Sequence, residues 1–175
     1  VAPFADKGID LELIYANRGG RTPAELADED NHIDAALVVG GLFKTDELPR
    51  MQSLGSFQYA PLWVFYRGQA FGQGLDPEVS LFESFGQRTL SIGTPDSKTH
   101  ILFSQLAKLH NIDVGQQSNF LATDINTAVE QLLGGEIDAV ALVDGYESDN
   151  IQRLVKSRDI KLFNVALAPA YQKHL

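Results

Sequence analysis

Hydrophobic and polar positions set out the chain's elements most clearly between residues 89 and 111, TLSIGTPDSKTHILFSQLAKLHN. Leu90 and Ile92, separated by small residues, predict a short strand, and Gly93 predicts a sharp turn at its end. The period then lengthens. Leu102, Leu106 and Leu109 recur at i, i+4 and i+7, so the spacing predicts a helix with these leucines on one buried face. Thr94 followed by Pro95 predicts its start, with Asp96 or Ser97 as alternative caps, and Asn111 predicts a left-handed stop. A strand that passes through a tight turn into a helix start gathers unpaired backbone N–H groups and the hydroxyls of Thr94, Ser97 and Thr99 at one spot, which favours an anion. A capped helix is equally what any parallel α/β unit requires here.

The same reading extends along the rest of the chain. VAPFADKGID reads as the end of a helix stopped at Gly8, and Leu11 to Ala16 as a buried strand. After a glycine turn, Thr22, Pro23 and Glu25 form a capping box that opens another helix. Ile33 to Val39 predicts a second buried strand ending at Gly40 and Gly41, and Leu42 to Met51 a short helix or turn. The aromatic and β-branched segment Ser53 to Arg67, broken by Pro61, predicts a strand that leaves one lobe and enters another. Leu75 to Gly86 reads as a helical connector. Further on come a strand over Asn119 to Thr123, a helix over Asp124 to Leu133 stopped at Gly134 and Gly135, and a strand over Ile137 to Val143. A helix over Glu147 to Arg158, a strand over Ile160 to Ala166 and a helix from Pro169 to Leu175 complete the pattern.

Two strings repeat. IDAALVVGG from Ile33 and IDAVALVDG from Ile137 share the Ile-Asp-Ala opening, the third position from the end and the final glycine. A strand and a capped helix precede each, so the chain is expected to hold two similar α/β lobes with Ser53 to Arg67 crossing between them. Parallel α/β sheets bind ligands at the carboxyl ends of their strands. Those ends are Asn17 to Thr22, Gly40 and Gly41, Gly93 to Thr99, Thr123 and Asp124, and Asp144 to Tyr146. Two lobes facing each other would line one cleft with them.

Charge narrows the partners. The chain of 175 residues carries 14 Lys+Arg against 23 Asp+Glu, a formal charge of −9, with no basic run, which argues against nucleic acid and anionic lipid. The absence of cysteine removes disulfides, thiolate nucleophiles and iron–sulfur clusters together. No apolar run has the length of a membrane span. No secretory signal is visible at the start, and the chain is expected to be an excerpt or a trimmed product.

Catalytic patterns fail one by one. Ser97, Lys98 and Thr99 look like the tail of a phosphate loop, but that loop needs glycine where Ser97 and Ile92 stand, so nucleotide hydrolysis is set aside. The histidines are scattered: His100 and His110 lie ten apart on one helix, and His32 and His174 read as loop or terminal residues. The acidic run Asp28, Glu29, Asp30 reads as a solvated helix end or loop, since three adjacent residues cannot all face one ion. No nucleophile elbow, zinc-protease helix or calcium loop is present. No metal, cofactor or catalytic residue is expected.

The stretches ANRGGRTPAELADEDNHIDAALVVGG, LGSFQYAPLWVFYRG, LSIGTPDSKTHILFSQLAKLHNI and AVEQLLGGEIDAVALVDGYESDNIQRLV, with IKLFNVALAPAY after them, resemble one known group in their order and spacing. It is the TAXI family, the extracytoplasmic solute receptors of tripartite ATP-independent periplasmic (TRAP) transporters. The resemblance implies an α/β, type 2 periplasmic-binding-protein-like fold: two lobes joined by crossing strands, incomplete here at both ends, closing on a small organic anion. It implies a first lobe over 1–60 lacking its first strand, a second over 61–166, and the start of a return segment over 167–175. A membrane permease would be the partner, the location periplasmic or otherwise extracytoplasmic, and the state monomeric. Against the family's glycine-Ser turn stand Arg18, Gly19, Gly20 and Arg21. Against its second turn stand Gly93 through Thr99, with Asp96 and Lys98 where glycines are usual.

The expected ligand contacts are Gly20, Arg21, Thr22, Gly41, Tyr59, Thr94, Ser97, Lys98, Thr99 and Asp144. Arg21 and Lys98 are expected to approach each other across the cleft and pair with an anion, carboxylate before phosphate, arginine by two parallel hydrogen bonds and lysine as a point charge. Solvated loop positions explain both equally well. Tyr59 is expected to stack on or hydrogen-bond the ligand, and core packing explains an aromatic there equally well. The leading function is solute binding for a transporter. Alternatives on the same fold are the ligand-sensing ectodomain of a membrane receptor, distinguished by a membrane span, and the effector domain of a transcription regulator, distinguished by an upstream helix-turn-helix. An enzyme is disfavoured.

Overall fold

A strand that is apolar at every position has to be covered on both faces. Ala139–Val143 is such a strand, with all five residues buried. It is the fourth of five, β1 (Leu62–Arg67), β2 (Leu90–Ser91), β3 (Phe120–Leu121), β4 (Ala139–Val143) and β5 (Ile160–Leu162), in a mixed sheet of order β3-β2-β4-β1-β5. The structure, a computed structural model, describes residues 2–14, 26, 28, 30, 32–38, 51–56, 59–68 and 81–164. β2 pairs in parallel with β3 and β4, Leu90 standing opposite Phe120 and Ala139. β1 runs antiparallel to β4 and β5, Phe65 standing opposite Val140 and Leu162. Four strands therefore point one way and β1 alone runs against them.

Among the described residues, the α-helices with defined bounds are α1 (Ala2–Ala5), α2 (Leu81–Phe85), α3 (Lys98–Leu109), α4 (Ile125–Gly134) and α5 (Asp149–Lys156). The last four flank the sheet. Side chains alternate along β1 and β4, as the pleat requires. Val64, Tyr66, Ala139 and Ala141 join Phe82, Phe85, Phe103 and Leu106 in one core, under α2 and α3. Phe65, Val140 and Leu142 join Val129, Leu132, Ile151 and Leu154 in the other, under α4 and α5. The chain thus leaves β2 toward one face, through α3, and leaves β4 toward the opposite face, through α5.

Local chemistry fixes the ends of these elements. Asp124 caps α4 by accepting from the N–H groups of Asn126 and Thr127, and Gly135 ends it in the left-handed region at φ 80°. Arg67 reaches from β1 to the same helix end, its guanidinium donating to the carbonyls of Leu132 and Leu133. Ser148 caps α5 through the N–H of Ile151. Asn111, at φ 56°, is the expected left-handed stop of α3, with N–H bonds from Asn111 to the Lys108 carbonyl and from Ile112 to that of Ala107. At the amino end of the sheet, Thr89 and Asp138 bind reciprocally. Asp138 Oδ2 accepts from Thr89 N and Oγ1, and Thr89 Oγ1 accepts from Asp138 N, all at 2.9–3.0 Å.

Several expected elements differ. The cap of α3 is Ser97, not Thr94, because the carbonyl of Thr94 takes the Ser97 N–H at 2.8 Å and closes a turn ahead of the helix. Its buried face is Thr99, Phe103, Leu106 and Ala107. Leu102 packs at the margin of the core, and Leu109 is 44% exposed. The helical connector is helical only at Leu81–Phe85 among the described residues, and Gly86 already lies in a turn. The strands at residues 120–121, 139–143 and 160–162 are shorter than the sequence pattern.

The chain divides into two compact units, Val1–Val38 and Val39–Leu175. In the first, α1 ends as expected at Gly8, φ 72°, where the Gly8 N–H reaches the Ala5 carbonyl and the Ile9 N–H that of Phe4. Residues 11–14 and 33–38 are not strands, contrary to their apolar pattern. A strand exists through its ladder, and neither segment has a pairing neighbour among the described residues; Leu37 is 75% exposed. The capping box at Thr22, the segment 42–50, the loop from Gln69 to residue 80 and the helix over 169–175 lie outside the described residues.

Candidate functional site

With β1 set aside, the parallel strands lie in the order β3-β2-β4-β5, so the chain starts in the middle, moves outward to β3 and returns past β2 to β4. Between β2 and β4 the direction of winding reverses. Because α3 and α5 depart to opposite faces at this point, the topology marks the carboxyl edge between β2 and β4 as the crevice position of an open α/β sheet, the place where such sheets hold ligands. One wall is Gly93 to Lys98, the other Asp144 to Ser148.

The first wall depends on glycine. Gly93 has φ +82°, and a Cβ there would stand 2.5 Å from Ser97 Oγ. Its carbonyl accepts from His100 Nδ1 at 3.1 Å, which places the imidazole proton on that nitrogen. Ser97 Oγ accepts from the His100 N–H at 3.1 Å, and its carbonyl accepts from Ile101. The N–H groups of Lys98 and Thr99 are left without an acceptor among the described residues.

The two walls meet through side chains. Thr99 Oγ1, buried, accepts from the N–H of Val143 at 2.9 Å and so ties the first turn of α3 to the last residue of β4. Lys98 Nζ stands 3.4 Å from Asp144 Oδ1, with the two side chains 30% and 36% exposed. Asp144 Oδ1 also accepts from Gly145 N at 2.9 Å. Trp63 Nε1, on β1, donates to the Asp144 carbonyl at 2.9 Å and fixes the turn from below.

Of the expected ligand contacts, Ser97, Lys98, Thr99 and Asp144 come together here, and Thr94 lies exposed on the adjoining turn. Ser97 and Thr99 spend their hydroxyl acceptors on the protein's own backbone. Tyr59 is 93% exposed, so it is not a core residue. Gly20, Arg21, Thr22 and Gly41 lie outside the described residues. Sequence reasoning missed Trp63 as the support of Asp144. Its position two residues after Pro61, in the expected crossing segment, was the one available signal.

Among the described residues, no three His, Asp or Glu side chains are grouped to hold a metal ion, and no helix is long and apolar enough to cross a membrane. No protein-family model matches the chain, and no curated protein matches it. The charged side chains of the two walls are Lys98, Asp96, Asp144 and Glu147, with Lys98 and Asp144 the pair in contact, and two backbone N–H groups at the start of the 12-residue helix lack an acceptor among the described residues. A lysine and helix-start N–H groups are donors of the kind that suits an anion.

Proposed function

We propose that the chain is an extracytoplasmic solute-binding protein that captures a small organic anion, a carboxylate before a phosphate, for a TRAP-type transporter. The observation that supports the reading is the reversal of winding, where Lys98 meets Asp144 of the loop after β4 and the N–H groups of Lys98 and Thr99 have no acceptor among the described residues. A helix start supplies partial positive charge and directed donors, and lysine adds a full charge at the same spot.

The type 2 periplasmic-binding-protein fold is the finer form of the α/β assignment. Its support is β1, the one strand opposed to the rest among the described residues, inserted between β4 and β5. An antiparallel strand set between parallel neighbours is how a chain entering the sheet from elsewhere arrives. The family resemblance adds a membrane permease as the partner; Arg21, which stands where that family usually carries serine, is proposed independently of it as a further anion contact.

The test is mass spectrometry of small molecules released when the purified protein is denatured, followed by calorimetry with the carboxylates found. Retention of a carboxylate that Lys98→Met and Arg21→Ala each bind more weakly supports the reading. An empty protein that shows no heat with a panel of mono- and dicarboxylates removes it.

A further inference from the structure

The crevice already holds a carboxylate, and the chain supplies it. Asp144 is the first residue after β4, and its Oδ1 stands 3.4 Å from Lys98 Nζ. Its place is fixed from the backbone side: the Trp63 indole donates to its carbonyl at 2.9 Å, and Gly145 N donates to its Oδ1 at 2.9 Å. About two thirds of each charged side chain is covered, and the remainder faces solvent. An anion arriving from solution therefore meets a lysine whose charge is already matched.

We infer that Asp144 is an internal competitor of the anionic ligand, an autoinhibitory contact that sets how strongly the crevice holds a negative charge. The inference rests on the reading of this crevice as an anion site, and it gives Asp144 the opposite role to the one its position suggests: not a ligand contact but an occupant that the ligand displaces. The physics is a balance of two similar pairings. A partly exposed ion pair is weak, so a second anion that also reaches the N–H groups of Lys98 and Thr99 can displace the carboxylate. Asp144 does not accept from those N–H groups among the described residues; its Oδ1 is shared between Lys98 Nζ and Gly145 N. While the pair stands, the crevice presents no net charge from these two side chains. Once it opens, the lysine is free and the carboxylate is released to solvent.

Sulfate is the probe, because its binding depends on charge and donors and not on the shape of an unidentified solute. Thermal unfolding is followed across a sulfate titration at constant ionic strength, balanced with chloride, for the wild type, Asp144→Asn, Asp144→Ser, and the double variant Lys98→Met with Asp144→Asn. Both single variants keep an acceptor for Gly145 N, so two chances of a folded protein are provided. The expected result is half-saturation at about fivefold lower sulfate in Asp144→Asn or Asp144→Ser than in the wild type, the equivalent of a surface ion pair. The double variant is expected to show no saturable response. Half-saturation unchanged from the wild type, no saturable response in either single variant, or a full response in the double variant overturns the inference. The receptor reading fails separately, by an empty protein that also shows no heat with the carboxylate panel, whatever sulfate does.

Discussion

The hydroxyl of Thr99 accepts a hydrogen bond from the backbone N–H of Val143, 2.9 Å away and buried. It joins the start of α3 to the end of β4 across 44 residues of sequence and holds the two walls of the crevice in register. Thr99→Val keeps the shape and removes the acceptor, leaving a buried N–H unsatisfied. The expected cost is about 1–3 kcal/mol. Thr99→Ser, which keeps the hydroxyl, is expected to lose less. Urea unfolding of the three proteins checks the order, and equal midpoints for Thr99→Val and the wild type would contradict it.

Gly93→Ala is expected to damage the same wall by another route. The residue would have to hold φ +82° with a Cβ 2.5 Å from Ser97 Oγ, the atom that caps α3. Left-handed strain costs about 1–3 kcal/mol, and displacement of the cap adds about 1 kcal/mol. Chemical denaturation gives the sum. Hydrogen exchange gives the location, with faster exchange of the His100 amide as the specific sign of a lost cap.

Elements whose limits are written in local chemistry were legible in the sequence. Asp124 and Gly135 bracket α4, Asn111 stops α3 and Gly8 stops α1, each by a cap or a left-handed residue that needs no distant partner. The start of α3 was harder, since Thr94, Asp96 and Ser97 are all competent caps and the choice falls to a backbone turn that uses the Thr94 carbonyl. Its buried face was misread because Thr99, a polar residue, occupies a core position and so breaks the apolar period. The segments 11–14 and 33–38 carry strand-like composition without a ladder, and composition says nothing about who pairs with whom. The Lys98–Asp144 pair, 46 residues apart, follows only from the order of the strands.

At the opposite edge of the sheet, Asp138 accepts from both the N–H and the hydroxyl of Thr89. Asp138→Ala strands two partly buried donors and is expected to cost about 1–3 kcal/mol. Thr89→Ala also removes the hydroxyl that Asp138 N shares with the Thr89 carbonyl as acceptor. The two changes share their partners, so their effects in a double-mutant cycle are expected to fall short of additivity by at least about 0.5 kcal/mol. Additive losses would mean that the reciprocal arrangement is not formed in solution.

Phe103 tests the core beneath α3. It is fully buried and meets Phe82 and Phe120 edge-on, at ring-centroid distances of 5.5 and 5.4 Å. Phe103→Ala removes both contacts and leaves a cavity in a packed layer, with an expected cost of about 3–5 kcal/mol. Phe103→Leu should recover most of it. Thermal unfolding distinguishes the two, and a small loss for alanine would indicate that the layer is looser than these contacts imply.

Lys98 separates binding from stability. Its ammonium lies 3.4 Å from Asp144 at a partly solvated position, so Lys98→Met is expected to change unfolding free energy by no more than about 1 kcal/mol. The same substitution takes the only full positive charge from the pair of residues that meet across the crevice, while leaving the N–H groups at the start of α3 in place. A carboxylate bound there loses a charge-assisted contact worth about 1.5–3 kcal/mol, or roughly one to two orders of magnitude in affinity. Calorimetry with the retained carboxylate, run beside urea unfolding of the same variant, gives both numbers. Weakened binding with near-normal stability identifies Lys98 as a ligand contact, whereas unchanged binding moves the anion out of this crevice.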